Sequence, residues 1–166
     1  MAKSATQKEV IANYRADIAR LLAAVAALGL ERFDRPVVGE WSAKDVLAHI
    51  AAWDRALARG MQELLAGLRP EFASYVEDEF NARTIEVSRH RSFADVLADV
   101  KQAHAALVEA LEHVTDQQWG GGSAYTWDNG APMTIASVFD YRYKGETHYA
   151  GHAAEIETWS HSRSVS

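Results

Sequence analysis

An all-α bundle of four long helices is the fold this sequence predicts. Three observations carry that expectation. Four separate segments space their apolar residues by three and four, helix-capping residues open three of them, and 166 residues suffice to bury one core without covalent staples. One domain over residues 1–166 is therefore expected, with polar tails at about 1–7 and 160–166.

In the first segment Ile11, Tyr14, Ile18, Leu21, Val25 and Leu28 share one helical face, and Gly29 marks its end. Pro36 and Gly39 are hostile to a helix interior, so residues 31–40 form a connection. Ser42 and Asp45 then read as a capping box in which aspartate stands for the usual glutamate or glutamine. The second helix starts near Ala43, buries Val46, Ile50, Trp53, Leu57, Met61 and Leu64, and runs to about Gly67, short of Pro70. A short acidic helix is expected within residues 74–89, with Phe80 and Ile85 facing inward. Ser92 caps the third long helix, whose stripe of Phe93, Val96, Val100, Leu107, Leu111 and Val114 passes through His104. Gly120, Gly121, Gly122, Asn129, Gly130 and Pro132 make residues 115–133 a long loop around Trp119, Tyr125 and Trp127. Thr134 is expected to cap the fourth long helix, with Ile135, Val138, Tyr141, Tyr149, Ile156 and Trp159 on its apolar face.

Composition narrows the chemistry. The chain contains no cysteine, which excludes disulfides, thiolate ligands and a cysteine nucleophile, and nothing in it calls for an oxidising compartment. A cytoplasmic protein is expected. The formal charge of −6 comes from both signs scattered along the chain, so there is no basic stripe for nucleic acid. No apolar run approaches the roughly 18 residues needed to cross a membrane. The triple glycine lacks the GKS or GKT ending of a phosphate loop, and no internal repeat is visible.

Histidines and carboxylates remain as the carriers of chemistry. His148 and His152 are four apart, so on a helix both imidazoles project from one face and can share a metal ion. Chance alone supplies roughly 0.3 such pairs in a chain of this composition, so spacing leaves two readings open: metal ligands or ordinary interfacial histidines. His49 sits between Val46 and Trp53 on the second helix and points toward the bundle interior or its margin, where a lone imidazole needs a partner. His104 reads as a hydrogen-bonded seam histidine that could also line a pocket. Trp53, Tyr141 and Glu155 are the other candidate pocket residues. His90, His113 and His161 read as solvated, and the five tryptophans read first as packing residues.

The segment from Glu40 through Trp41, Ser42, Asp45, His49 and Trp53, together with Gly145 through His148, His152 and Ile156, resembles the DinB/YfiT-like superfamily of four-helix bundles. Within it the opening Trp-Ser and the second tryptophan look most like the ClbS/DfsB branch. The resemblance covers nearly the whole chain in the order and spacing of helices. It implies that one histidine of the second helix and two of the last, here His49, His148 and His152, bind a divalent metal. In the ClbS branch it implies protection against cyclopropane-bearing genotoxic metabolites by hydrolytic ring opening. Many members carry a histidine directly before the final ligand and Arg-Gly-Gln after it. This chain has Gly151 before His152 and Ala153, Ala154 and Glu155 after it.

Three neutral imidazoles leave coordination positions open, as in a catalytic rather than a structural site, and suit zinc, nickel, iron or copper. Glu155 and Tyr141 are the candidates to orient the rings. The resulting expectation is a detoxification or stress protein, a metal-dependent thiol transferase or hydrolase acting on a small electrophile. Any thiol would be a low-molecular-weight cosubstrate, because the protein has none of its own. The alternative is a bundle that sequesters a small molecule without catalysis. The acidic, exposed helix faces permit a homodimer.

Overall fold

The structure, a computed structural model, describes residues 5–29 and 32–164, the side chains of residues 163 and 164 excepted. The expected tails at residues 1–4 and 165–166 lie outside the described residues. Seven α-helices and one two-stranded hairpin make up the described chain: α1 (Gln7–Ala26), β1 (Pro36–Val38), β2 (Trp41–Ser42), α2 (Ala43–Leu65), α3 (Glu77–Arg89), α4 (Phe93–Glu112), α5 (Asp116–Gly120), α6 (Ile135–Val138) and α7 (His148–Ser164). The fold is the expected all-α bundle. Its long members are α1, α2, α4 and α7, with α2 packed chiefly on α4 and α1 on α7. No described helix is long and apolar enough to cross a membrane.

Local chemistry explains the helix starts. Thr6 with Glu9 and Ser42 with Asp45 form reciprocal capping boxes, each satisfying orphan backbone N–H groups of its helix. Ser92 accepts from the Asp95 backbone N–H at the head of α4. Asp45 does more than cap, since its Oδ1 also accepts from Ser88 Oγ at 3.2 Å and so ties the start of α2 to the end of α3. Two groups of buried side chains fill the bundle. One, around Leu21, Val46, Leu47, Ile50, Val100 and Ile156, lies toward the start of α2. The other, around Ile11, Met61, Leu107, Leu111, Trp119 and Val138, fills the opposite end.

Four sequence expectations are corrected. The fourth long helix begins at His148, not after Thr134. Thr134 does cap a helix, but α6 lasts only to Val138. Lys144 and Gly145 take φ values of 52° and 83° in a tight turn closed by the Tyr143–Glu146 bridge, and no α-helix can run through such residues. Ile135, Val138 and Tyr141 therefore leave the stripe assigned to that helix. Second, residues 36–40, expected only as part of a connection, form an antiparallel hairpin together with Trp41 and Ser42. It is anchored beside α4 by the Phe33 ring stacked on Phe93 at 3.8 Å. Third, the loop of residues 115–133 contains the short α5 and an isolated bridge between Thr126 and Pro132. Fourth, residues 160–164, expected as tail, continue α7. The acidic helix is α3, which buries Ile85 and leaves Phe80 partly covered, and a 3-10 turn over Glu71–Ser74 precedes it.

Candidate metal centre

His49 lies in the second turn of α2, while His148 opens α7 and His152 follows one turn later. Because α7 starts at His148, the two α7 imidazoles face α2 from the end of the bundle rather than from its middle. One nitrogen from each of the three rings lies within 4.8 Å of the others. His49 and His152 are 4% and 2% exposed. His49 Nε2 and His148 Nε2 are 2.8 Å apart.

Donor and acceptor chemistry assigns the protons. The Trp53 indole N–H, which can only donate, points at Asn81 Oδ1 over 3.0 Å. The same oxygen faces His49 Nδ1 at 3.0 Å, so His49 carries its proton on Nδ1 and presents a lone pair on Nε2. His152 Nδ1 donates to Glu155 Oε2 at 3.0 Å, which likewise leaves its Nε2 lone pair free. With His49 Nε2 an acceptor, the proton between the two Nε2 atoms belongs to His148. Burial holds all three rings neutral. It pushes His49 down to about 3, reinforced by His152, and lowers His148 and His152 as well. Burial also raises Glu155, but hydrogen bonds from Lys144, His152 and Tyr143 outweigh it and keep that carboxyl below its ordinary range.

The histidines form the floor of a cavity of about 500 Å³. Trp41 of the hairpin stands 4.9 Å from the His49 ring, and Tyr143 stands 4.6 Å from the His152 ring, centroid to centroid. Gly151 makes the second approach possible, since a Cβ there would come within 2.6 Å of Tyr143 Cδ1 and 2.9 Å of its carbonyl oxygen. The residue in this position thus admits Tyr143, whose hydroxyl donates to Glu155 at 3.1 Å.

Tyr141 and Glu155 line the cavity; Trp53 and His104 do not. Trp53 acts from behind through Asn81. His104 stands on the far side of α7's first turn, where its Nδ1 is 3.2 Å from the Tyr149 hydroxyl, and that hydroxyl donates to buried Asp54 at 2.6–2.7 Å. Asn81, like Tyr143, is a site residue that sequence reasoning missed. Its signal was its place on the inner face of α3, four residues before Ile85 and seven before Ser88, all three of them buried.

The donor set fits a divalent cation. His49 and His152 already offer Nε2 lone pairs, and His148 would offer its own once its proton moves from Nε2 to Nδ1, giving the three neutral imidazoles that such metals take.

Comparison with known proteins places the chain. Residues 14–139 match the family model described as mycothiol maleylpyruvate isomerase N-terminal domain. That stretch includes His49 and ends before His148. None of the curated proteins matches the sequence significantly. Among solved structures, an uncharacterised protein from Escherichia coli UTI89 is similar at 14% identity, with a TM-score of 0.77 over 97% of this chain and 96% of that one. A protein from Streptococcus pneumoniae is similar at 10% identity, with a TM-score of 0.75 over 97% and 93%. Both are likenesses of fold.

Proposed function

Because the chain belongs to the mycothiol maleylpyruvate isomerase N-terminal domain family, which is DinB-like, we propose that His49, His148 and His152 hold a divalent metal and that the protein is a detoxification enzyme using it on small electrophiles. The observation that carries this reading is the convergence of three neutral imidazoles, His49 and His152 buried and His148 half-buried, in the lining of one cavity. When bound, the ion would supply Lewis acidity, lowering the pKa of a coordinated thiol or water. The chain's own residues bind and orient. Asn81 and Glu155 hold two of the rings in the tautomer that offers Nε2, while Trp41 and Tyr143 cover them and keep water from their faces. Without a cysteine, the chain must take its thiol from solution, and the family's description makes a mycothiol-like compound the first to try. A dicarboxylate such as maleylpyruvate is a poor electrophile for this cavity, because Glu40, Glu77, Asp78 and Glu155 line it.

Elemental analysis of tag-free protein, followed by thiol-consumption and hydrolysis assays against a panel of electrophiles, tests the proposal. Bound zinc, nickel or iron with metal-dependent turnover is expected; no metal after reconstitution with zinc, nickel, iron and manganese would overturn it. Asn81→Leu is a finer test. It strips the acceptor from two N–H groups, a loss worth about 1–3 kcal/mol for each that stays unpaired. Metal affinity should also fall by roughly 10–100-fold, as measured by competition with a chromogenic chelator.

A second reading has one observation in its favour. The His148 Nε2–H donates to His49 Nε2, so the cluster is satisfied without an ion. A sequestering bundle or a ClbS-like, metal-independent cyclopropane hydrolase would use the same cavity. Ligand binding that survives His49→Ala, His148→Ala and His152→Ala would favour it.

A further inference from the structure

The wall of the three-histidine cavity is charged on one side only. Glu40 in the hairpin turn, Glu77 and Asp78 in the first turn of α3 and Glu155 on α7 line it, and among the described residues no lysine or arginine does. Glu155 is engaged by Lys144. Glu40, Glu77 and Asp78 are exposed and form no salt bridge among the described residues. Between these carboxylates stand aromatic rings, Trp41, Tyr141 and Tyr143, with Tyr141 53% exposed. The negative field of Glu77 reaches that ring: burial first, and then Glu77, push the Tyr141 hydroxyl above its ordinary range.

Carboxylates around a pocket attract cations and repel anions, and an indole or phenol face adds attraction for an ammonium group lying over it. We infer that the ligand of this cavity is a small molecule bearing a positive charge, an amine or other ammonium compound, whose reacting end reaches the histidines while its cationic end lies between Trp41, Tyr141 and the acidic wall. The inference rests on the proposed metal site for the position of the reacting end. The charge preference itself arises from the wall. An anionic thiol or electrophile meets repulsion, and a neutral one is intermediate.

The test uses the full chain reconstituted with cobalt(II) and three thiols of matched shape: para-(aminomethyl)benzenethiol, para-(hydroxymethyl)benzenethiol and para-mercaptophenylacetate. Their rigid rings prevent the second group from chelating the same ion. Binding is read from the sulfur-to-cobalt charge-transfer absorption. The ammonium thiol should bind about tenfold more tightly than the carboxylate thiol at low ionic strength, with the alcohol between them. High salt, or the combined Glu40→Gln, Glu77→Gln and Asp78→Asn substitutions at exposed positions, should collapse the difference. Equal or reversed affinities with an intact cobalt spectrum would overturn the charge preference and leave the metal site standing. Absence of any cobalt spectrum would instead overturn the metal site. The same series is then read from tryptophan fluorescence of the metal-free chain, where the predicted order upholds the preference and equal affinities overturn it.

Discussion

Replacing His49 by alanine is expected to abolish stoichiometric metal binding, reducing the ion recovered with the purified chain from about one to a small fraction. In the proposed site His49 is the ligand contributed by α2, and its two α7 partners cannot close the gap it would leave, because they project from one helix face. The loss should exceed the roughly 10–100-fold that removal of an orienting partner costs. His49 also sits between Asn81 and His148, with bonds to both at 3.0 and 2.8 Å, so the substitution breaks the link from α3 through α2 to α7. Thermal unfolding of the metal-free proteins separates the two effects. The variant should remain folded with a lower Tm, and added zinc should raise the Tm of the wild type but not of the variant. Zinc stabilising both proteins equally would show that the ion binds elsewhere.

The second large effect concerns pH and a site with no place in metal binding. Asp54 on α2 is 2% exposed, and its carboxylate accepts a hydrogen bond from Tyr149. Burial pushes its pKa up to about 7, against the opposing influence of that hydrogen bond. The unfolded chain releases the same proton near the ordinary carboxyl value of 3.8. Between these limits the native state holds more protons than the unfolded one, so stability falls as pH rises. The contribution is fully present below about 4 and is gone above about 7. The interval from 3.8 to about 7 corresponds to roughly 4 kcal/mol. Urea unfolding at pH 5 and pH 8 measures it. Asp54→Asn cannot titrate, so its stability should change with pH by a few kcal/mol less than that of the wild type, in the direction of less loss toward pH 8. Parallel pH profiles would show that Asp54 ionises in the folded chain as it does in water.

Much of this fold was legible because much of it is local. The stripes of Val46 to Met61 and Val96 to Leu111 lie within single helices, and the Ser42–Asp45 and Ser92–Asp95 caps span three residues each. The fourth long helix was misplaced for an equally physical reason. Thr134 with Ser137 is a sound cap, and nothing in capping chemistry says how far the helix behind it will run. The stop lies in the turn at Lys144 and Gly145, where positive φ values are tolerated because Tyr143 packs over Gly151 and bonds to Glu155.

The candidate site divides the same way. That His148 and His152 share a face follows from the period of an α-helix alone. Which neighbour that face meets does not, because His49 and His148 are separated by 99 residues and their meeting depends on how α7 docks against α2. Asn81 is 32 residues from His49, on a helix whose inward face only packing defines. The hairpin that brings Trp41 over His49, and the acidic wall assembled from the hairpin, α3 and α7, are likewise products of docking. The sequence by itself determined the helix class, the starts of α2 and α4 and the residues able to bind metal, because propensity, capping and periodicity act over a few residues. The tertiary structure alone decided which ends of the helices converge, which tautomers their partners impose and what charge surrounds the opening, because those follow from contacts between elements that only packing brings together.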